Sequence, residues 1–244
     1  MIGCIKTDVG RVRMNNEDAF YVPPSNAGHP QLYIVADGMG GHRGGEIASR
    51  MAVDVVSTHI NAHFSPNLDG QQIKSIIKDA LNKANKRILS SALENREWAG
   101  MGTTVTLALF LSDKLYIGHV GDSRAYRIRA GRIELLTRDH SLVWQLMEEG
   151  KLTFEEAKIH PLKNIITKAL GTEELLEPDI LEFDLKKNDI ILLCSDGLTN
   201  MLDDENIKTI ASGANPEVAA SMLIERANSL GGIDNITVGI IIAD

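Results

Sequence analysis

Residues 103–111, 114–120, 123–129 and 132–136 read as strands, and they are joined by connectors as short as "SDK" and "RAGR". Parallel neighbours need a crossover of a dozen or more residues, so these runs can pair only antiparallel. Further strand-like runs lie at 2–7, 32–36, 180–184, 189–194 and 235–242. Two long helices are expected early. One runs from about Gly45 to His63 with Ile47, Met51, Val55 and Ile60 on one face, the other from about Gln71 to Glu94 with Ile73, Ile77, Leu81, Ala84 and Ile88. A loop at 65–71 separates them. Near the C-terminus Asn215-Pro216 opens a helix that Gly231-Gly232 stops. Helices with one apolar face and sheets with two sides predict an α+β fold, with helices stacked outside two antiparallel sheets.

The 244 residues suffice for one large domain or two small ones. No repeat, low-complexity tract or Pro/Ser-rich linker divides them, so a single domain over 1–244 is expected. Between about 141 and 170 the pattern is irregular: a helical piece, a Gly, a capping box (Thr153 with Glu156) and His160-Pro161. Such fragments interrupting a strand series form either a flap over a site or a decorative insertion. No segment approaches the ~18 apolar residues of a membrane span, and "MIGCIKTDVGRVR" lacks the pattern of a secretory signal. The net charge of −8 argues against nucleic acid or an anionic membrane as partner. Cys4 and Cys194 sit in separate apolar segments, which argues against a disulfide framework or a zinc cluster, and the chain reads as cytoplasmic.

Four stretches share one grammar: "VADGMGGHRGGE", "HVGDSRAY", "LLCSDGLTN" and "GGIDNITV". Each sets one carboxylate (Asp37, Asp122, Asp196, Asp234) at the edge of an apolar strand beside Gly or a small polar residue. One such Asp is ordinarily a turn former. Strands that end together would gather all four, and carboxylates so crowded repel one another unless cations join them. Asp side chains, the Gly38 carbonyl and water make an all-oxygen ligand set, which selects Mg²⁺ or Mn²⁺ over zinc or copper. Two such ions roughly 3.5–4 Å apart can share a water, lower its pKa and stabilise an in-line displacement at phosphorus. In "GRVRMNNEDAF" Arg13 is a candidate fork for a phosphate dianion, with a solvated surface charge as the alternative. Glu17 and Asp18 are candidates to hold waters around the ions.

"TDVGRVRMNNEDAF", "VADGMGGH", "GMGTTV", "VGDSRAY", "DHSLV", "SDGLTNML" and "GGIDNITV" resemble, in order, the motifs of the metal-dependent protein serine/threonine phosphatases (type 2C, PPM family) in their bacterial form. The resemblance covers about residues 3–242. It implies a four-layer α-β-β-α sandwich with a dimetal site in the cleft between the sheets and a flap at about 141–165. It also implies that Asp37 bridges both metals, the Gly38 carbonyl binds the first, and Asp196 and Asp234 bind the second. Asp122, with Asp196, would belong to a third, weaker metal site, Arg13 would grip the substrate phosphate, and Glu17 and Asp18 would order water. The substrates it implies are phosphorylated proteins, made by a cognate Ser/Thr kinase, and a monomer is expected. One departure stands out: eukaryotic relatives carry His as a proposed general acid where this chain has Met39, and a thioether cannot donate a proton. His42 and His160 remain open as proton donor or substrate contact against polar turn or solvent exposure, and His140 is expected to make structural hydrogen bonds.

A cysteine-based phosphatase is excluded by spacing, since Arg must follow the Cys by six positions and here Gly10 and Asn200 stand there. A catalytically inactive, phosphatase-like binding module is the competing class; such a chain is expected to lose ligand aspartates, and none is missing.

Overall fold

The computed structural model describes residues 1–24, 30–40 and 44–244. In chain order, β1 (Ile2–Asp8), β2 (Asp18–Tyr21) and β3 (Gln31–Met39) precede the helices α1 (Gly44–His63) and α2 (Gly70–Glu94). The strands β4 (Gly102–Thr103), β5 (Val105–Leu111), β6 (Lys114–Val120), β7 (Arg124–Arg129) and β8 (Arg132–Leu135) follow. Next come the short helices α3 (Leu142–Glu148) and α4 (Phe154–Ile159), then β9 (Asp179–Asp184) and β10 (Ile190–Cys194). The chain closes with α5 (Asp196–Thr199), α6 (Asp204–Ser212), α7 (Pro216–Ser229) and β11 (Ile236–Ile242).

The strands form two antiparallel sheets. One has the order β1-β11-β10-β7-β8; the other runs β2-β3-β5-β6-β9, with β4 added on β3. The short connectors set the hairpins β5–β6 and β7–β8, with Leu111 opposite Lys114 and Arg129 opposite Arg132. Strand alternation then sorts side chains into layers. Along β3, Leu32, Ile34 and Ala36 face α1 and α2, whereas Tyr33 and Val35 pack between the sheets with Ala108, Ile117, Ile191 and Leu193. On the far side Tyr126, Leu192, Val238 and Ile240 meet Leu223 and Ala227 of α7 and Ile207 of α6. The layers are thus helix, sheet, sheet, helix, as expected.

Differences from the sequence reading are local. The strand β2 was not anticipated: its four residues are too few to show a period, and it exists because it pairs with β3. The helices α5 and α6 were also missed. The fully buried face of α1 is Ala48, Ala52, Val56 and Ile60, while Ile47, Met51 and Val55 flank it half-buried. Alanine side chains let α1 lie close on the sheet, so the larger residues are turned to its margin. In α2 the expected stripe, Ile73, Ile77, Leu81, Ala84 and Ile88, is buried throughout. The 103–111 run divides at Thr104, whose N–H donates to the Asp37 carbonyl.

Candidate metal centre

The register of the second sheet places Asp18 of β2 directly opposite Asp37 of β3. Asp37 is held through its backbone. Its N–H donates to Thr104 Oγ1 at 2.9 Å, and its carbonyl accepts from Thr103 Oγ1 and the Thr104 N–H, both at 2.8 Å. The glycines that follow explain themselves by close approach. A Cβ on Gly38 would lie 2.1 Å from the Gly45 carbonyl oxygen and 2.6 Å from that of Glu17, so the start of α1 sits against the end of β3 with no room for a side chain.

Both sheets contribute the other carboxylates. Asp196 follows β10 at the start of α5, Asp234 precedes β11, and Asp122 follows β6 of the second sheet. The four expected aspartates and Asp18 converge, and each of Asp18, Asp122, Asp196 and Asp234 pushes the Asp37 carboxyl up. Burial is the largest cause of that rise, which takes the group well above the usual carboxylate range. Asp196 is raised to about 6 by burial and then by Asp234, against a 2.9 Å bond from Asn200 Nδ2. Asp122 is raised well above its ordinary value by burial, then by Asp196 and Asp139, with Arg124 opposing. Asp18 is raised to about 7 by burial, although Ser195 Oγ and Thr237 Oγ1 donate to its Oδ2 at 2.8 and 2.6 Å. Its buried Oδ1 has no partner among the described residues. Burial likewise raises Glu17, with Arg13 opposing.

One cation enters this group from the N-terminal loop. Arg13 Nη2 donates to Asp234 Oδ2 at 2.8 Å, and its guanidinium is half exposed. Against Asp18, Asp37, Asp122, Asp196 and Asp234, the guanidiniums of Arg13 and of Arg124, which is already paired with Asp139, leave negative charge uncompensated, and the Asp18 oxygen without a partner among the described residues needs a donor or a cation's water. The donor set is all oxygen and fits a hard divalent ion. Among the described residues, no three His, Cys, Asp or Glu side chains close around a single point. A site of this kind does not require that closure, since Mg²⁺ keeps several waters and takes only one or two carboxylates.

Several residues that shape the site carried no signal of their own in the sequence. Asn235, 5% exposed, donates through Nδ2 to the carbonyls of Val9 and Asn15, both at 2.9 Å, and accepts from the Glu17 N–H at 2.8 Å. It clamps both ends of the loop that carries Arg13; only its place beside Asp234 could have drawn notice. Ser195 and Thr237 flank the candidate aspartates in the same unmarked way. Arg124 makes a two-pronged pair with Asp139 (Nε to Oδ1 2.8 Å, Nη2 to Oδ2 2.6 Å) next to Asp122.

The histidines divide. The Gly121 N–H donates to His140 Nδ1 at 3.1 Å, and His140 Nε2 faces Asp179 at 3.3 Å, a structural arrangement. His160 Nδ1 accepts from the Leu162 N–H in the turn after α4. The reading of His42 lies outside the described residues. The Met39 side chain is turned against Gly102.

Comparison with known proteins gives one answer. The family model for protein phosphatase 2C matches residues 10–231. The serine/threonine phosphatase stp of Listeria welshimeri is 40% identical over 96% of this chain and 92% of that protein. The crystal structure of the serine/threonine phosphatase PstP/Ppp of Mycobacterium tuberculosis superposes with a TM-score of 0.91 at 34% identity, covering 100% of this chain and 98% of that one. A PstP catalytic domain in complex with two manganese ions superposes with a TM-score of 0.87 at 33% identity, over 100% and 98% of the two chains. Sandwich, carboxylate cluster and likeness along nearly the whole chain agree: this chain belongs to the protein phosphatase 2C family, the metal-dependent protein serine/threonine phosphatases.

Proposed function

We propose that this chain hydrolyses phosphoserine and phosphothreonine in proteins through a centre of two Mn²⁺ or Mg²⁺ ions. The observation that carries the reading is the buried set of carboxylates raised by burial and by one another. In this assignment Asp37 would serve both ions, the Gly38 carbonyl the first, and Asp196 and Asp234 the second. Asp122 with Asp196 is the candidate for a third, weaker ion. When bound, the two ions supply a water of lowered pKa and positive charge for an in-line displacement at phosphorus.

The chain's own residues position everything else. Arg13 spends one N–H on Asp234, and the rest of its planar fork is directed to two oxygens of the substrate phosphate. Glu17 and Asp18 orient water, with the unpartnered Asp18 oxygen as acceptor. Asn200, Ser195 and Thr237 hold Asp196 and Asp18 in place. Met39 offers no proton, so the leaving alkoxide takes its proton from another donor. We further propose one catalytic domain over 1–244 with a flap at about 141–165, acting as a cytoplasmic monomer on the products of a Ser/Thr kinase. In the described residues no helix is long and apolar enough to cross a membrane.

The test is metal removal and return. The chelated protein should not turn over an aryl phosphate or a phosphothreonine peptide, and Mn²⁺ or Mg²⁺ should restore both. Full turnover after verified removal of metal refutes the assignment.

A further inference from the structure

The helix α3 has the sequence "LVWQLME", and none of its residues is fully buried. Its apolar residues Leu142, Val143, Trp144, Leu146 and Met147 are half-buried, and only Gln145 and Glu148 are exposed. Beside it lies a cavity of about 350 Å³. Trp144 and Met147 of α3, Phe154 of α4, and Met201 and Leu202 after α5 form its apolar walls. Phe154 is 51% exposed, with Lys158 Nζ 4.4 Å above its ring.

The cavity is continuous with the candidate metal centre, since Asp122 and Asp196 line it. Its charges are largely accounted for. Asp139 is taken by Arg124, and Asp122 and Asp196 are assigned to ions. Lys158, Lys163 and Asp203 also line it, and Lys158 Nζ lies 3.7 Å from Glu155 Oε1. What is offered to an occupant is therefore apolar surface beside charges of both signs that already have partners or neighbours of opposite sign, next to the seat of the phosphoresidue.

We propose that this cavity is a specificity subsite of the phosphatase: it receives a bulky apolar side chain of the phosphoprotein, within about three residues of the phosphoserine or phosphothreonine. The inference rests on the proposed function. An extended segment advances ~3.3 Å per residue, so a side chain a few residues from the phosphate reaches the neighbouring cavity. The volume suits one large side chain and its backbone, at the small end of ligand pockets.

The experiment uses the Mn²⁺-loaded protein and phosphothreonine peptides flanked by alanine, with Leu, Ala or Lys placed in turn at each near position on either side. At one or more positions Leu should raise kcat/KM over Ala by about tenfold, mainly through KM, the value for burying one aliphatic side chain. Lys at the same position should not match Leu. Phe154→Ala and Met147→Ala, both at incompletely buried sites, should each shrink the Leu-to-Ala ratio towards one. Equal rates on all peptides, or a preference for Lys, would overturn the subsite while the activity stands. Failure on every peptide and on aryl phosphate would remove the proposed function and the subsite together.

Discussion

Asn235 is the residue on which the Arg13 loop most visibly depends. It makes three hydrogen bonds to backbone groups at residues 9, 15 and 17, at 2.8–2.9 Å, and is almost fully buried. Replacing it by Ala removes two donors and one acceptor at once. Each bond is worth about 1 kcal/mol net, and the groups left behind cost more where water cannot reach them. Residues 11–15 are exposed, so part of that loss is recovered by hydration, and the expected cost of Asn235→Ala is about 2–3 kcal/mol. Asn235→Asp makes a sharper case. It keeps the acceptor for the Glu17 N–H but turns carboxylate oxygen towards two carbonyls and adds charge beside Asp234. It should therefore be less stable than the Ala variant despite its closer shape. Urea unfolding of the chelated proteins at neutral pH separates the outcomes, since metal binding then plays no part in the difference. The midpoint should fall in the order wild type, Ala, Asp, with the slope unchanged. In the metal-loaded enzyme, the KM for a phosphopeptide should rise for Asn235→Ala, because the loop placing Arg13 is loosened. A cost below about 0.5 kcal/mol for Ala, or an Asp variant as stable as wild type, would show that the loop is held by other means.

Two further predictions follow from buried titratable groups. The His119 imidazole, in contact with Thr106 and the Arg138 carbonyl, is pushed down to about 3 by burial and by His140. The unfolded chain therefore binds a proton near pH 6.5 that the folded one refuses. Its contribution is complete above that value and is lost as pH falls towards 3, at up to ~1.4 kcal/mol per pH unit. His119→Gln should flatten the dependence of urea midpoint on pH between neutrality and mild acid, and an unchanged slope would refute the assignment. Burial pushes the Cys194 thiol up to about 12, so it should resist alkylation in the native protein and label only on unfolding. Rapid modification of Cys194 under native conditions would place it outside the core.

What was legible in the sequence is what local chemistry dictates. The hairpins of residues 105–135 follow from connector length, since no other pairing is reachable. The buried stripe of α2 follows from helical period, and the capping box at Thr153 and Glu156 from side-chain reach. The aspartates stood out because a carboxylate at the end of an apolar run, four times repeated, has few other purposes. Their order along the chain, with the motifs around them, carried the family. Tertiary structure decided what depends on groups far apart in sequence. β1 pairs with β11 across the whole chain, and β2 exists only through β3. The face that α1 buries was set by how closely it could approach the sheet. Asn235 reaches back to residues 9–17, and Arg13 finds Asp234 at a separation of 221 residues. Periodicity reports a residue's relation to its own backbone. Which distant carbonyl an amide satisfies, or which carboxylate a guanidinium meets, is settled only when burial closes the sheets upon one another and leaves each polar group a single available partner.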